Sequence, residues 1–226
     1  MTILERLSGG LVVSCQPVDD GPMDDPHITR AMALAAEAGG TAGLRIEGLE
    51  NLAATRPTTS LPIIGIIKRD LPDSPVRITP FVEDVGALAE NGADIIAYDA
   101  TQRRRPVATA DLAKAIQDSG RIAMADCATV DDARCALAEG ATIIGTTLSG
   151  YAYESAPESA APDLHLVAAF RELNAFVMAE GRFNSPELAR DAMTAGADCV
   201  TVGSAITRIE NITTWFADAV VSARTA

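Results

Sequence analysis

The chain reads as a (β/α)8 barrel, with residues 1–226 forming one domain. Three observations predict this. One phrase recurs, a helix end followed by glycine and an apolar strand, in ALAAEAGGTAGLRI (33–46), ALAENGADIIAYD (87–99), ALAEGATIIGTTL (136–148) and DAMTAGADCVTVGS (191–204). The strand-like runs are continuously apolar rather than alternating, as in a parallel sheet covered by helices. Eight such runs in a chain of this length fit a closed barrel better than an open doubly wound sheet, which usually has fewer strands.

Taken in order, the strands are expected at 11–16 (LVVSCQ), 43–48 (GLRIEG), 62–68 (PIIGIIK), 93–100 (ADIIAYDA), 121–127 (RIAMADC), 142–148 (TIIGTTL), 175–181 (AFVMAEG) and 198–204 (DCVTVGS). Between them lie alanine-rich helices that can approach a sheet closely, each closed by a glycine suited to left-handed backbone. Helix starts carry their own signals. TPFVED and SPELAR put Thr79 and Ser185 at cap positions with a proline just inside, and TVDDAR places Asp132 three residues after Thr129. The longest interruption, SGYAYESAPESAAPDL (149–164), reads equally well as a cover over the site or as a solvated connection.

Composition removes several function classes. With 48% hydrophobic residues and mean hydropathy +0.15, the chain has ample material for a large core. It has no apolar run of about 18 residues, and MTILERLSGG lacks the apolar centre of a signal peptide, so a cytoplasmic protein without membrane association is expected. A formal charge of −13 opposes binding to nucleic acid or to an anionic membrane. It permits a small phosphate ligand, because charges more than about 8 Å away are screened. Cys15, Cys127, Cys135 and Cys199 show no CxxC spacing, and with only His27 and His165 beside them no metal site is expected.

In a barrel of this kind the chemistry sits where the strands end. The polar residues closing the runs are Gln16, Arg45 with Glu47, Lys68, Asp99, Asp126, Thr147, Glu180 and Ser204. Any solvated rim is polar, so chemical type is what discriminates: a lysine and a glutamate among carboxylates and arginines form a possible acid/base set, and arginines suit an anionic substrate. Loops after the seventh and eighth strands bring Gly181 and Arg182, then Gly203, Ser204 and Arg208. Those loops, with a short helix N-terminus, are the recurrent phosphate site of the fold.

The segments GLVVSCQ, LRIEG, GIIKRD, DAT followed by RRRP, MADCAT, GTTLSGY, AEGRF and VGSAITR, in that order from about residue 8 onward, closely resemble the N-acetylmannosamine-6-phosphate 2-epimerase family. The resemblance implies a (β/α)8 barrel that interconverts N-acetylmannosamine 6-phosphate and N-acetylglucosamine 6-phosphate in amino-sugar and sialic acid breakdown. It implies no metal and no organic cofactor, an amino-sugar phosphate as the small-molecule partner, and a homodimer. Lys68 and Glu180 match the family's catalytic lysine and glutamate, while Gln16, Arg45, Asp126 and Arg208 match substrate-contacting positions, the last toward the phosphate. Arg104 departs from the family pattern, where a smaller or uncharged residue is expected.

The chemistry fits independently. Epimerisation beside a masked aldehyde needs ring opening, proton removal at C2, return of a proton on the other face, and electrostatic stabilisation of the enolate between. Lys68 must be neutral to act as the base, and desolvation with Arg45 nearby favours that. Glu180 either moves protons at the sugar oxygens or serves as a second base at C2. Two rivals remain: a Schiff-base aldolase using the same lysine, and a sugar-phosphate sensor without chemistry.

Overall fold

Eight parallel strands close on themselves in sequence order: β1 (Leu11–Cys15), β2 (Gly43–Glu47), β3 (Ile63–Ile66), β4 (Ile95–Asp99), β5 (Ile122–Asp126), β6 (Ile143–Gly145), β7 (Phe176–Glu180) and β8 (Cys199–Val202), with β8 paired back onto β1. This is a (β/α)8 barrel. The computed structural model describes residues 1–153 and 161–223, so the expected cover at 149–164 lies partly outside the described residues. Around the barrel run α2 (Pro26–Ala38), α3 (Leu49–Thr55), α4 (Val82–Glu90), α5 (Thr109–Asp118), α6 (Val130–Ala138), α7 (Leu164–Arg171), α8 (Pro186–Thr194) and α10 (Ile209–Ser222). Three short elements complete the order: α1 (Ile3–Leu7) precedes β1, a 3-10 turn (Arg56–Thr58) follows α3, and α9 (Ser204–Thr207) follows β8.

Strand alternation divides the core into two layers. Residues such as Leu44, Ile46, Ile63, Ile96 and Tyr98 point outward and pack under the helices. Val12, Ile64, Ile66, Ile95, Met124, Ile143, Met178 and Cys199 fill the barrel interior, where α1 joins them through Leu7. Each fully buried aliphatic side chain of this kind stabilises the fold by about 1.5–3 kcal/mol. Glycines set the closest approaches. A Cβ on Gly43 would lie 2.7 Å from Leu7 Cδ2, and one on Gly65 would lie 2.8 Å from Ala93 Cβ and 3.0 Å from Leu88 Cδ2, so these positions let α1 and α4 seat.

One pleat step above the apolar interior, the same inward faces turn polar. Val12 is followed by Ser14, Gly43 by Arg45, Ile66 by Lys68, Met124 by Asp126, Met178 by Glu180 and Cys199 by Thr201. Inward direction is therefore imposed by the sheet rather than by the polar groups themselves.

Two local expectations are corrected. The third strand stops at Ile66 rather than running through Lys68, because the chain folds back: Lys68 bridges Ile78 antiparallel, Arg69 N–H donates to Arg77 O (3.0 Å) and Thr79 N–H to Ile67 O (2.7 Å). Thr79 is not a helix cap. It is buried with φ 44° and donates its hydroxyl to Ala97 O (2.7 Å), while α4 begins later with Phe81 in the cap position and no side-chain bond there. Ser185 and Thr129 do cap α8 and α6, the latter with Asp132 reciprocating.

Candidate active site

Arg45 is the centre of the polar layer. It rises from β2 into the barrel, 1% exposed, and bonds both carboxylates across the mouth: Nη2 to Asp126 Oδ2 at 2.7 Å, Nη1 to Asp126 Oδ1 at 3.2 Å, and Nη1 to Glu180 Oε2 at 2.9 Å. Thr147, in the loop after β6, ties in that sector: its hydroxyl donates to Asp126 Oδ1 at 2.6 Å and lies 3.3 Å from Glu180 Oε2. Burial alone would lower the guanidinium pKa, but the Asp126 and Glu180 carboxylates outweigh it and hold the charge firmly in place. Burial pushes the Glu180 carboxyl up to about 7; Arg45 holds it down, the negative charge of Asp126 adds to the rise, and Thr147 and Lys68 oppose it.

Lys68 stands over the same cavity. Its backbone is fixed on both sides, by the bridge to Ile78 and by donation from its N–H to Glu47 Oε1 at 3.3 Å. Among the described residues its ammonium makes no ion pair. Burial lowers its pKa below the usual lysine range; Glu47 pulls it back up, and the cations Arg208 and Arg45 lower it further. Both groups of the expected acid/base pair are thus displaced toward their neutral forms, as burial of a charged group dictates.

The cavity, of about 260 Å³, brings together Gln16, Arg45, Lys68, Thr147 and Glu180 with the glycine loops Gly181–Arg182 and Gly203–Ser204, and with Arg208. Asp126 is not on its wall. It is fully buried beneath Arg45 and Thr147, which occupy its oxygens. Arg182 reaches the cavity but ties loops together: its Nε donates to Ala161 O (2.8 Å), its Nη1 to Ser149 O (2.7 Å), and its guanidinium lies 5.2 Å from the centre of the Tyr151 ring. Arg208 uses Nε on Gln16 O at 2.9 Å, which leaves its two Nη groups without a partner among the described residues. Gly181 has φ 106°, a backbone region that disfavours side chains, and a Cβ on Gly203 would come within 3.3 Å of Ser14 Cβ. Arg104 is exposed and lines no part of this cavity.

Several wall residues escaped sequence reasoning. Ser14 and Thr201 lie one pleat step below Gln16 and Gly203, so strand alternation could have found them. Ile78 and Tyr151 could not be found that way, since only the fold-back after β3 and the loop after β6 bring them in. Among the described residues no group of three or more His, Cys, Asp or Glu side chains is arranged to hold a metal ion, and the buried cysteines are Cys15, Cys127 and Cys199.

Comparison with known proteins points in one direction. The family model "NanE: Putative N-acetylmannosamine-6-phosphate epimerase" matches residues 29–222. A relative from Haemophilus influenzae, described as "Putative N-acetylmannosamine-6-phosphate 2-epimerase", is 56% identical over 98% of this chain and 96% of its own length. A "Bifunctional enzyme NanE/NanK" from Brucella suis is 60% identical over 98% of this chain and 42% of its own. The solved structure of the N-acetylmannosamine-6-phosphate 2-epimerase from Clostridium perfringens superposes with a TM-score of 0.93 at 39% identity, covering 97% of this chain and 96% of that one.

The buried network makes a directional prediction. Asp126→Asn removes the negative charge that helps raise Glu180 while leaving Arg45 to hold it down. The Glu180 carboxyl, followed by carbon-13 NMR, should therefore titrate below its position near 7 in the unaltered protein. An unchanged or higher midpoint contradicts this account of the network.

Proposed function

The chain belongs to the N-acetylmannosamine-6-phosphate epimerase family, and from that premise we propose that Lys68 and Glu180 carry out its reaction. The activity is interconversion of N-acetylmannosamine 6-phosphate and N-acetylglucosamine 6-phosphate by proton removal and return at C2. One observation carries the assignment: a lysine and a glutamate lining one cavity are both displaced toward their neutral forms by burial.

In this reading Lys68, as the free amine, takes the C2 proton from the ring-opened sugar. A carboxyl titrating near 7 holds both protonation states at neutral pH, so Glu180 moves protons at the sugar oxygens or returns one to C2. Charge developing on the enolate is met by the fixed cation Arg45, whose position costs no reorganisation during the reaction. Asp126 and Thr147 serve as positioning residues for Arg45 and Glu180. Gln16 contacts the substrate from the end of β1, and Arg182 shapes the wall. Gly181, Gly203 and Ser204 supply backbone amides to the phosphate, with the first amides of α9 lacking partners within the helix, and Arg208 supplies charge. No step calls on a metal or an organic cofactor.

The proposal extends to assembly and place. No residue of α10 is buried, and Phe216 (71% exposed), Val220 and Val221 (60% each) leave an apolar face uncovered, which supports a homodimer. A phosphorylated sugar does not cross a bilayer unaided, which fits a cytoplasmic enzyme. Among the described residues no helix is long and apolar enough to span a membrane.

Four outcomes follow. In D2O the active enzyme should place deuterium at C2 of N-acetylmannosamine 6-phosphate as it is converted, read by proton NMR. Lys68→Arg should lose about 10²–10⁴-fold in turnover, since a guanidinium stays protonated, and borohydride should trap no adduct; retained activity would overturn the role of Lys68 as the base, and a trapped adduct would favour the aldolase. Arg208→Ala should weaken binding of the phosphorylated sugar by about 1.5–3 kcal/mol, the worth of a hydrogen bond to a charged group, and unchanged affinity would move the phosphate elsewhere. Sedimentation should show a dimer at micromolar concentration, and a monomer there removes that part of the proposal.

A further inference from the structure

The seam between β3 and β4 carries two paired positions, Ile64 opposite Ile95 and Gly65 opposite Ile96, against four between β2 and β3 and five between β4 and β5. It stops short of Lys68. Beyond Gly65 the gap is taken by the returning arm of the fold-back: Ile78 O accepts from Asp99 N–H at 3.1 Å on the β4 side, and Thr79 N–H donates to Ile67 O at 2.7 Å on the β3 side. The Thr79 hydroxyl then spans the gap, donating to Ala97 O at 2.7 Å and accepting from Ile67 N–H at 3.4 Å. Both backbone groups of the residue before Lys68 are thus held by Thr79.

Thr79 occupies a conformation that its side chain resists. Its φ is 44°, left-handed backbone in which a β-branched residue is an outlier, and Pro80 after it narrows the choice further. A glycine would make this turn freely but would bring no hydroxyl to the seam. Such strain persists where the surrounding structure over-determines it, and it gathers at functional sites. Thr79 is fully buried and lines no part of the cavity, so its route to the reaction runs through the lysine one residue beyond Ile67.

We propose that Thr79 is the positioning residue of Lys68, a wedge whose hydroxyl joins β4 to the residue before the lysine and fixes where the amine enters the cavity. The inference rests on the reading of Lys68 as the base at C2. Reacting atoms have to stand about 3–3.5 Å apart, and a displacement of about 1 Å can cost 10²-fold in rate. Without the hydroxyl, Ala97 O and Ile67 N–H lose a buried partner, so the seam closes or admits water to satisfy them, and Lys68 moves either way. The phosphate contacts assigned to Gly203, Ser204 and Arg208 lie beyond β8, so the displacement is felt in turnover rather than in binding.

The test compares Thr79→Ala, which removes the hydroxyl and keeps the backbone bonds, with Thr79→Ser, which keeps both. In Thr79→Ala, kcat for N-acetylmannosamine 6-phosphate should fall by about 10-fold or more, while the calorimetric Kd for N-acetylglucosamine 6-phosphate stays within about 3-fold and every chain still binds. Intact stoichiometry separates slowed chemistry from loss of folded protein. Thr79→Ser should recover turnover to within about 3-fold of the unaltered protein. Should the alanine variant fail to fold, Thr79→Gly removes the same hydroxyl without backbone strain and reads the same split. Unchanged turnover without the hydroxyl, binding lost in step with turnover, or a serine variant as slow as alanine overturns the positioning role and leaves the epimerase reading intact. Full turnover in Lys68→Arg removes the roles of Lys68 and Thr79 together, and an unaltered protein that does not convert the sugar overturns the epimerase reading itself.

Discussion

A single guanidinium organises the mouth of the barrel. Arg45 joins β2 to β5 and β7, and Thr147 brings in the loop after β6, so four sectors of the rim are locked by one charge and its partners. A buried arginine is tolerated there because two carboxylates surround it. Removing either partner of such a pair typically costs about 3–5 kcal/mol, because the remaining charge is left buried and uncompensated. The arrangement is not symmetrical: Asp126 is fully buried beneath the network, whereas Glu180 stays on the cavity wall, where its charge is penalised by burial and by Asp126 together.

That asymmetry divides labour among the acids of the site. Both carboxylates hold Arg45 charged and in place, but only Glu180 also borders the cavity, its carboxyl pushed up to about 7 by burial. Lys68 receives the complementary treatment from the opposite wall, where burial and two arginines weigh against its charge while Glu47 tempers the effect. The fold-back after β3 that fixes the Lys68 backbone also delivers Ile78 and Pro75, so the element that positions the lysine also builds the wall beyond it.

The barrel was legible because its signals are local and repeated. Continuous apolar strands and glycine-closed helices gave all eight strands in place, with boundaries off by at most three residues. Lys68, Glu180, Gln16 and Arg45 were legible as strand-end polar groups, and the sheet does bring them to one cavity. Thr79 misled because proline after threonine looks like a helix start, whereas this threonine is buried in the fold-back and bonds β4. Arg182 was legible as a loop cation but not as a clamp, since its partners Ser149 and Ala161 lie more than twenty residues away.

The sequence alone therefore determined the architecture and the inventory of reactive groups, because strand period, helix closure and residue type are properties of neighbouring residues. Tertiary structure alone decided which polar group does what. Asp126 and Glu180 are both acids at inward-facing strand ends, and no pattern along the chain tells them apart. They differ because one lies under Arg45 and Thr147 while the other borders the cavity, and burial and the field of distant charges act through space rather than along the chain.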